Sequence, residues 1–252
     1  MLMKVSGMLM TEIPTEGGSL REGILGLPRF INPLFGISDV DRDLTSLVYS
    51  GLLKTTSEGK LIPDLAENYT ISEDGLIYTF VLKDNAYFHD GKKVTADDII
   101  FTIQKAQDSV LKSSKRANWD GVTIKKIDNK TIEFTLKQPY APFLENTTLG
   151  ILPYHIWKNV DVEQFAFSEF NINPIGSGPF KVYKVGRNSG GIPNFYELKS
   201  FKKYTLGKPY ITTLYFNFYP NEQELFTAFK DGFIESFYAP SPDKLSELIK
   251  NN

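Results

Sequence analysis

The sequence of 252 residues contains no cysteine and only two histidines, and these shortages exclude much chemistry. Without cysteine the chain has no disulfide, no thiolate nucleophile and no cysteine-bound metal. His89 and His155 are the only side chains whose ordinary pKa lies near neutrality. Each stands in a turn-like context, and the two are too far apart in sequence for a zinc-binding helix. The sequence therefore predicts turn roles for both histidines.

Long apolar runs and basic clusters are also missing. No stretch reaches the roughly 18 apolar residues of a membrane-spanning helix, and with a net charge of −2 and scattered Lys and Arg nothing indicates a nucleic-acid partner. No GxxxxGK[ST] or GxGxxG loop follows a predicted strand, and the GSG at 176–178 lacks the spacing of a GxSxG nucleophile elbow. The carboxylate pairs at 97–98 and at Glu222 and Glu224 suit helix starts. An enzyme, such as a carboxylate-pair hydrolase, is the third hypothesis for function.

The N-terminal segment has an unusual composition. All four methionines of the chain lie in the first ten residues, MLMKVSGMLM, which are too few for a signal peptide. The segment is either an artificial start or the tail of an upstream anchor or export signal that has been removed, and the second interpretation is preferred. We expect residues 1–17 to be flexible.

Aromatic residues are abundant, with 19 Phe and 13 Tyr. They fill a core and its sheets, or they line a ligand cleft with rings. Alternating patterns predict strands at 20–25, 77–82, 122–127, 131–137, 180–185, 195–200 and 211–219. Helical periodicity and capping residues predict helices from Ser38 or Asp39 to about Gly51, over 96–110, from Asn221 to Gly232, and after Ser241. Residues 111–120 are predicted to form a loop.

Ordered motifs along most of the chain carry a resemblance to a known family. The runs that carry it are GGSLREGI, LVYSGLL, LIPDLAENYTISEDGLIYTFVLKDNAYFHDGKKVTADDIIFTI, IEFTLKQPYAPFL, LPYHIW, GSGPFKVYKV and KPYITTLYFNFYPNEQELFTAFKDGFIES. Together they span about residues 18–240, and FHDG followed by TADD is the most specific part. The chain resembles the solute-binding proteins of ABC importers of the peptide and nickel class, family 5.

The resemblance implies an α/β fold, a lobe of the type II periplasmic-binding-protein kind with a mixed sheet flanked by helices. Residues 18–50 and 175–252 are expected to form the base subdomain of the N-terminal lobe. Residues 51–174 are expected to be inserted as a smaller α+β subdomain, with the PIGSGPF turn at 174–180 as the boundary. The family's chains continue into a second lobe, which is absent from these 252 residues.

The resemblance also implies where a ligand binds. The loop after the first strand should approach the cleft, where its backbone pairs with an extended peptide. Arg29 is a candidate partner for a carboxylate, with a plain surface arginine as the alternative. Trp119 is either a ring platform for ligand side chains or an anchor of the subdomain. The expected ligand-binding residues are Leu27, Pro28, Arg29, Phe30, Asn32, Trp119 and Tyr238.

The predicted function is extracytoplasmic binding of oligopeptides or dipeptides for import, with an ABC permease as the membrane partner. The chain is expected to be a monomer without cofactor or metal, tethered to the membrane through a segment that precedes it, and not an enzyme. The alternatives are another cargo, such as a nickel chelate, an oligosaccharide or a peptidoglycan fragment, and an interaction module that has lost transport.

Overall fold

The computed structural model describes residues 14–238. Its strands are β1 Gly17–Leu25, β2 Leu53–Thr55, β3 Leu61–Pro63, β4 Ala66–Ile71, β5 Ile77–Leu82, β6 Thr123–Lys126, β7 Thr131–Thr135, β8 Phe180–Arg187, β9 Pro193–Ser200, β10 Ile211–Tyr219 and β11 Ser236–Phe237. Its α-helices are α1 Asp39–Val48, α2 Ala96–Gln107, α3 Arg116–Trp119, α4 Phe143–Asn146, α5 Tyr154–Trp157 and α6 Glu222–Lys230. Two 3₁₀ helices follow α5, at Val162–Phe167 and Glu169–Asn171.

A five-stranded mixed sheet forms the larger layer, in the order β11-β1-β10-β9-β8. β1 runs parallel to β10 and β11, whereas β9 is antiparallel to both β10 and β8. Along β10 the alternate residues Leu214, Phe216 and Phe218 are buried on one face, as the sequence pattern predicts. With helices packed beside it, this sheet confirms the predicted mixed α/β fold class.

A four-stranded antiparallel sheet, β4-β5-β7-β6, forms the smaller layer, and β2 and β3 pair separately. Helix α2 contacts this sheet at β6. A capping box starts the helix: the Thr95 backbone N–H donates to Asp98 Oδ2 at 2.8 Å, and the Thr95 side chain is bonded to the same residue. α2 ends at Gln107 rather than at 110, because Asp108 is extended and its carboxylate accepts the Val110 N–H at 2.8 Å. The predicted end of this helix was wrong by three residues.

Sheet membership follows the sequence in a simple way. Every strand of the larger sheet comes from 17–25 or 180–237, and every strand of the smaller sheets comes from 53–135. This pattern matches the proposed insertion of 51–174, although one continuous hydrophobic core joins the two parts. The division into subdomains stays a prediction. Residues 1–13 of the expected flexible segment, and the helix expected after Ser241, lie outside the described residues.

Two further predictions, the end of the first helix and the loop at 111–120, differ from the structure. Helix α1 is capped by Ser38, whose hydroxyl accepts the Asp41 N–H, but it ends at Val48 rather than at Gly51 because Tyr49 is extended. The predicted loop 111–120 contains the short helix α3.

The GSG turn at 176–178 contacts the end of α1 and the turn that contains His89. The Gly178 N–H donates to the Val48 carbonyl at 2.8 Å, at the end of α1. His89, from the FHDG motif, meets the same turn three times: its N–H donates to Gly176 O at 2.8 Å, its Nδ1 accepts the Gly176 N–H at 3.3 Å, and its Nε2 lies 3.1 Å from Gly178 O. Two of the sequence motifs therefore form one structural joint, which we call the His89 joint.

We expect Gly176→Ala to lower the free energy of unfolding by about 2–4 kcal/mol, because the added Cβ would overlap the Val48 carbonyl oxygen. The Val48 carbonyl and the buried Tyr49 ring leave little room to relax. Gly36→Ala is the matched control, since its Cβ would meet neighbours only at 3.4 Å or beyond. Urea denaturation of the two variants measures the difference, and equal midpoints would contradict the expected overlap.

Candidate ligand-binding site

The parallel strands of the larger sheet end on a common edge. Leu25 of β1 pairs with Tyr219 of β10, and the Gly26 N–H donates to the Tyr219 carbonyl at 2.9 Å. Phe237 of β11 pairs with Gly23, so Tyr238 follows toward the same edge. In open α/β sheets, ligands bind outside the carboxyl ends of the strands. The residues that leave this edge, the β1–α1 loop (residues 26–38) and Tyr238, are the candidate site.

A buried carboxylate fixes the start of the β1–α1 loop. Asp41, in the first turn of α1, is almost fully buried, and its Oδ1 accepts the N–H of Arg29 at 2.7 Å and that of Phe30 at 3.1 Å. Hydrogen bonds to an ionised acceptor are about twice as strong as neutral ones. The loop is therefore tied to the helix that follows it.

A pair of buried asparagines, Asn32 and Asn171, fixes the middle of the same loop. Asn32 Nδ2 donates to Asn171 Oδ1 at 2.9 Å, and Asn32 Oδ1 accepts the Leu34 N–H at 2.9 Å. Asn171 also accepts the Ile31 N–H at its backbone carbonyl, at 2.9 Å, and donates from Nδ2 to Phe165 O at 2.7 Å. The second 3₁₀ helix thus holds the loop from the other side.

The loop still offers side chains to solvent. Leu27 is 41% exposed and Tyr238 is 88% exposed. Arg29 is exposed as well, with its guanidinium carbon 5.7 Å from the centre of the Phe30 ring. Apolar surface, an aromatic ring and one cation therefore lie along the same edge of the sheet, a combination suited to a ligand with apolar and anionic parts.

The other residues expected at the site lie inside the protein. Pro28 and Asn32 are buried within the loop. Trp119 is only 1% exposed, and its ring packs against Phe134 at 5.7 Å and Phe143 at 5.8 Å, between centroids. These contacts are those of a subdomain anchor, the second of the two alternatives for Trp119. The structure does not bring it to the sheet edge.

Asp41 and Asn171 hold the site and were not among the expected residues. An acid in the first turn of a helix, such as Asp41, is ordinarily explained by the helix dipole alone. A signal was present, however, because Asp41 falls on the same helical stripe as the buried Leu44 and Val48, and a buried acid needs partners. Nothing in the sequence around Asn171 indicates its pairing with Asn32.

Both histidines are hydrogen-bonded within the protein. His155 Nε2 lies 2.6 Å from Asp90 Oδ2, and hydrogen bonding to His155 helps to hold the pKa of Asp90 below its usual value despite partial burial. His89 bonds only backbone groups, and burial lowers its pKa to about 4, so it is neutral at pH 7. Within residues 14–238, no group of three potential metal ligands clusters. None of the helices in that part combines the length and apolar character that a bilayer crossing requires.

The mixed sheet and the loop fixed at its carboxyl edge define one lobe of a type II periplasmic-binding-protein fold. The chain belongs to the bacterial extracellular solute-binding proteins of family 5, whose middle-region model matches residues 60–252. The resemblance read from the sequence is therefore confirmed.

Two curated relatives cover nearly the whole chain. Oligopeptide-binding protein AppA of Bacillus subtilis is 31% identical over 245 residues, which are 94% of this chain and 44% of the relative. The dipeptide-binding protein of Escherichia coli K12 is 27% identical over 245 residues, 88% of this chain and 45% of the relative. The chain thus spans a little under half the length of these relatives, both of which are named as binding proteins.

Solved structures give the same result for the fold. AppA from Bacillus subtilis, in complex with a nonapeptide, superimposes with a TM-score of 0.83 at 30% identity, covering 93% of this chain and 46% of AppA. NikZ from Campylobacter jejuni, in complex with Ni(L-His), gives 0.77 at 30% identity, covering 86% of this chain and 43% of NikZ. The two neighbours share the fold and bind different cargo.

Proposed function

We propose that the chain provides the N-terminal lobe of an extracytoplasmic binding protein that delivers oligopeptides or dipeptides to an ABC permease. The observation that carries the proposal is the likeness to AppA, which extends over nearly all of the chain in both sequence and structure. The proposed protein is a monomer without cofactor or catalytic activity, tethered at the outer face of the membrane. Its three proposed subdivisions are 1–17, the base of 18–50 with 175–252, and the insertion 51–174.

The loop geometry supports a particular way of binding a peptide. The amides of Arg29, Phe30 and Ile31 are already hydrogen-bonded within the protein, so at these three residues pairing with an extended peptide falls to the carbonyl oxygens. Leu27 and Tyr238 supply apolar contact, and Phe30 supports the guanidinium of Arg29, which meets a carboxylate of the ligand. Pro28 and Asn32 fix the shape of the loop without exposing surface to the ligand. Trp119 stabilises the smaller subdomain from its buried position.

A nickel chelate is the second candidate cargo, and the structural likeness to NikZ with Ni(L-His) supports it. The two candidates differ at the loop. A peptide needs carbonyl acceptors along an extended line, whereas a compact chelate needs a smaller, more enclosed contact.

We expect peptide pools to raise the melting temperature of the full-length product of this gene by several degrees, and Ni(L-His) or oligosaccharides to leave it unchanged. Arg29→Ala should weaken peptide binding about tenfold, the value of one charge-assisted hydrogen bond. The matched control is Arg116→Ala, because Arg116 is an exposed arginine of α3, away from the loop. This variant should bind the peptide as tightly as the parent does. A shift with Ni(L-His) and none with peptides would overturn the peptide assignment.

A further inference from the structure

The segment between β9 and β10, which we call the β9–β10 loop (residues 201–210), is fixed from beneath by a buried carboxylate. Asp64 is almost fully buried, and it accepts hydrogen bonds from the Thr205 hydroxyl and, at 3.3 Å, from the Tyr204 hydroxyl. Lys54 Nζ donates to the same Tyr204 hydroxyl at 3.1 Å. The loop therefore has a defined shape although it lies on the surface of the protein.

The part of this loop that faces solvent is apolar at its tip and basic beside it. The Gly207 N–H donates to the Tyr204 carbonyl at 3.0 Å and closes a turn. Leu206 lies within that turn and is 39% exposed. Lys202 and Lys203 precede the turn, and both are exposed. One fixed segment therefore offers an apolar side chain and two positive charges together.

A third lysine, from a distant part of the chain, joins these two at the ring of Tyr87. Lys203 Nζ lies 4.4 Å from the centre of this ring. Lys93, which forms an antiparallel bridge with Tyr87, places its Nζ 6.0 Å from the same centre. We call Lys93, Lys202 and Lys203 the basic surface. It is built from two segments that are more than 100 residues apart in the sequence.

The charge of the basic surface is not neutralised by the protein around it. None of its three lysines forms an ion pair with a residue between 14 and 238. The two acids of the neighbouring segment are engaged elsewhere: Lys130, more than Lys93, holds the pKa of Asp84 below its usual value. Asp90 Oδ2 lies 2.6 Å from His155 Nε2. The β9–β10 loop itself contains no acid.

The β9–β10 loop also lies beside the point at which the chain enters the fold. The Gly17 N–H, at the start of β1, donates to the Tyr210 carbonyl at 2.9 Å, and Glu16 pairs with Lys208. The tether of the proposed function precedes these residues, so it reaches the fold next to this loop. Tyr210 is 57% exposed, and tyrosine is favoured at the level of lipid headgroups. The loop thus lies on the side of the lobe where the proposed tether arrives.

We propose that the β9–β10 loop and the basic surface rest on anionic phospholipid headgroups at the outer face of the membrane. The three lysines lie near the lipid phosphates, and Leu206 enters the boundary between the headgroups and the acyl chains. Charge complementarity and the neighbouring tether both support this orientation. The inference rests on the membrane tethering in the proposed function, but it does not depend on which ligand the protein binds.

The test is cosedimentation of the chain with vesicles of phosphatidylcholine alone or of an equal mixture with phosphatidylglycerol. We expect binding to the mixed vesicles that is lost in high salt, because salt screens exposed charges. The double variant Lys93→Gln with Lys203→Gln should weaken this binding about 25-fold, at about fivefold for each lysine. The matched control is Lys112→Gln with Lys137→Gln, which removes two other exposed lysines and should bind as the parent does. Equal weakening in both double variants would show a general charge effect and overturn the surface.

Leu206→Ala distinguishes a membrane from an acidic protein as the partner. Because an inserted apolar side chain is lost, binding to the mixed vesicles should weaken about fivefold, whereas binding to soluble polyglutamate should not change. Vesicle binding as tight as that of the parent would contradict the inserted tip. Binding of the parent to polyglutamate but not to the vesicles would assign the surface to an acidic protein and overturn the membrane contact.

Two features of the design keep the result specific to the loop. Every variant retains residues 1–13, so any contribution of that segment is the same in all of them. Peptide binding is measured on the same preparations. A parent protein that binds peptides but not the mixed vesicles would overturn this inference and leave the proposed peptide binding intact.

Discussion

Asp41→Ala should lower the free energy of unfolding by about 3 kcal/mol and remove most of the ligand binding at the sheet edge. The side chain is buried, and its Oδ1 alone accepts the Arg29 and Phe30 amides. Deleting it leaves both N–H groups in a poorly hydrated position, and hydrogen bonds to a charged acceptor are worth about 1.5–3 kcal/mol each. Urea denaturation and peptide titration of the same preparation measure the two effects.

Asp41→Asn is the matched control for this prediction. The asparagine keeps an oxygen in the place of Oδ1, so both amides retain an acceptor while the negative charge is lost. We expect it to cost less than half as much stability as alanine and to keep most of the binding. If asparagine and alanine are equally damaging, the charge at the start of α1 matters rather than the fixed loop.

Lowering the pH should reduce the free energy of unfolding, because a proton on His89 breaks the His89 joint. Burial lowers the pKa of His89 from 6.5 to about 4, with the hydrogen bond to Gly178 opposing this change and the charge of Lys181 adding to it. In the neutral ring, Nε2–H donates to Gly178 O while Nδ1 accepts the Gly176 N–H. A proton on Nδ1 would face that N–H and break the contact. The folded chain therefore resists a proton that the unfolded chain accepts.

The sign of the pH dependence follows from this difference. Above about pH 6.5, His89 is unprotonated in both the folded and the unfolded chain, so it does not change the free energy of unfolding with pH. Between about pH 6.5 and pH 4 the unfolded chain binds this proton and the folded chain does not, so the free energy of unfolding falls as the pH is lowered. One pKa unit corresponds to about 1.4 kcal/mol, so the loss reaches about 3 kcal/mol at pH 4 and then levels off. Urea denaturation between pH 4 and 7.5 measures it.

His89→Gln should remove this acid loss and also lower the stability at pH 7, because a glutamine side chain cannot reproduce both ring contacts. The matched control is His155→Gln, which removes the other histidine and leaves the His89 joint intact. Its stability should still fall between pH 6.5 and 4. An acid loss that persists in His89→Gln would assign the effect to carboxylates.

Local patterns in the sequence were sufficient for most of the elements. Strand β5 has the predicted bounds because Tyr78, Phe80 and Leu82 alternate on a buried face, and α2 starts where Thr95 and Asp98 form a capping box. Helix ends were less accurate. Val110 fits the apolar stripe of α2, but it is exposed beyond a break at Asp108 whose carboxylate competes with the helix for the backbone.

The candidate site could be predicted only in part from the sequence, because some of its contacts join residues that are far apart along the chain. The Pro- and Gly-rich stretch after the first strand predicts an irregular loop, and its position near a ligand came only from the family resemblance. Its fixation depends on Asn171, far along the chain, and such a contact leaves no local pattern. Trp119 shows the converse case, since a polar stretch around it does not reveal that its ring is buried.

The tied β1–α1 loop has a consequence for the rate and entropy of binding. Ordering one residue of a mobile loop costs about 1–2 kcal/mol of conformational entropy. Here the backbone at Arg29, Phe30 and Ile31 is already ordered when the protein folds, so a ligand meets a preorganised surface. The proposed peptide would then associate without a slow rearrangement of this loop, and we expect a rate in the ordinary range of about 10⁵–10⁷ M⁻¹s⁻¹. Differences in affinity among ligands would lie mainly in how fast each one leaves.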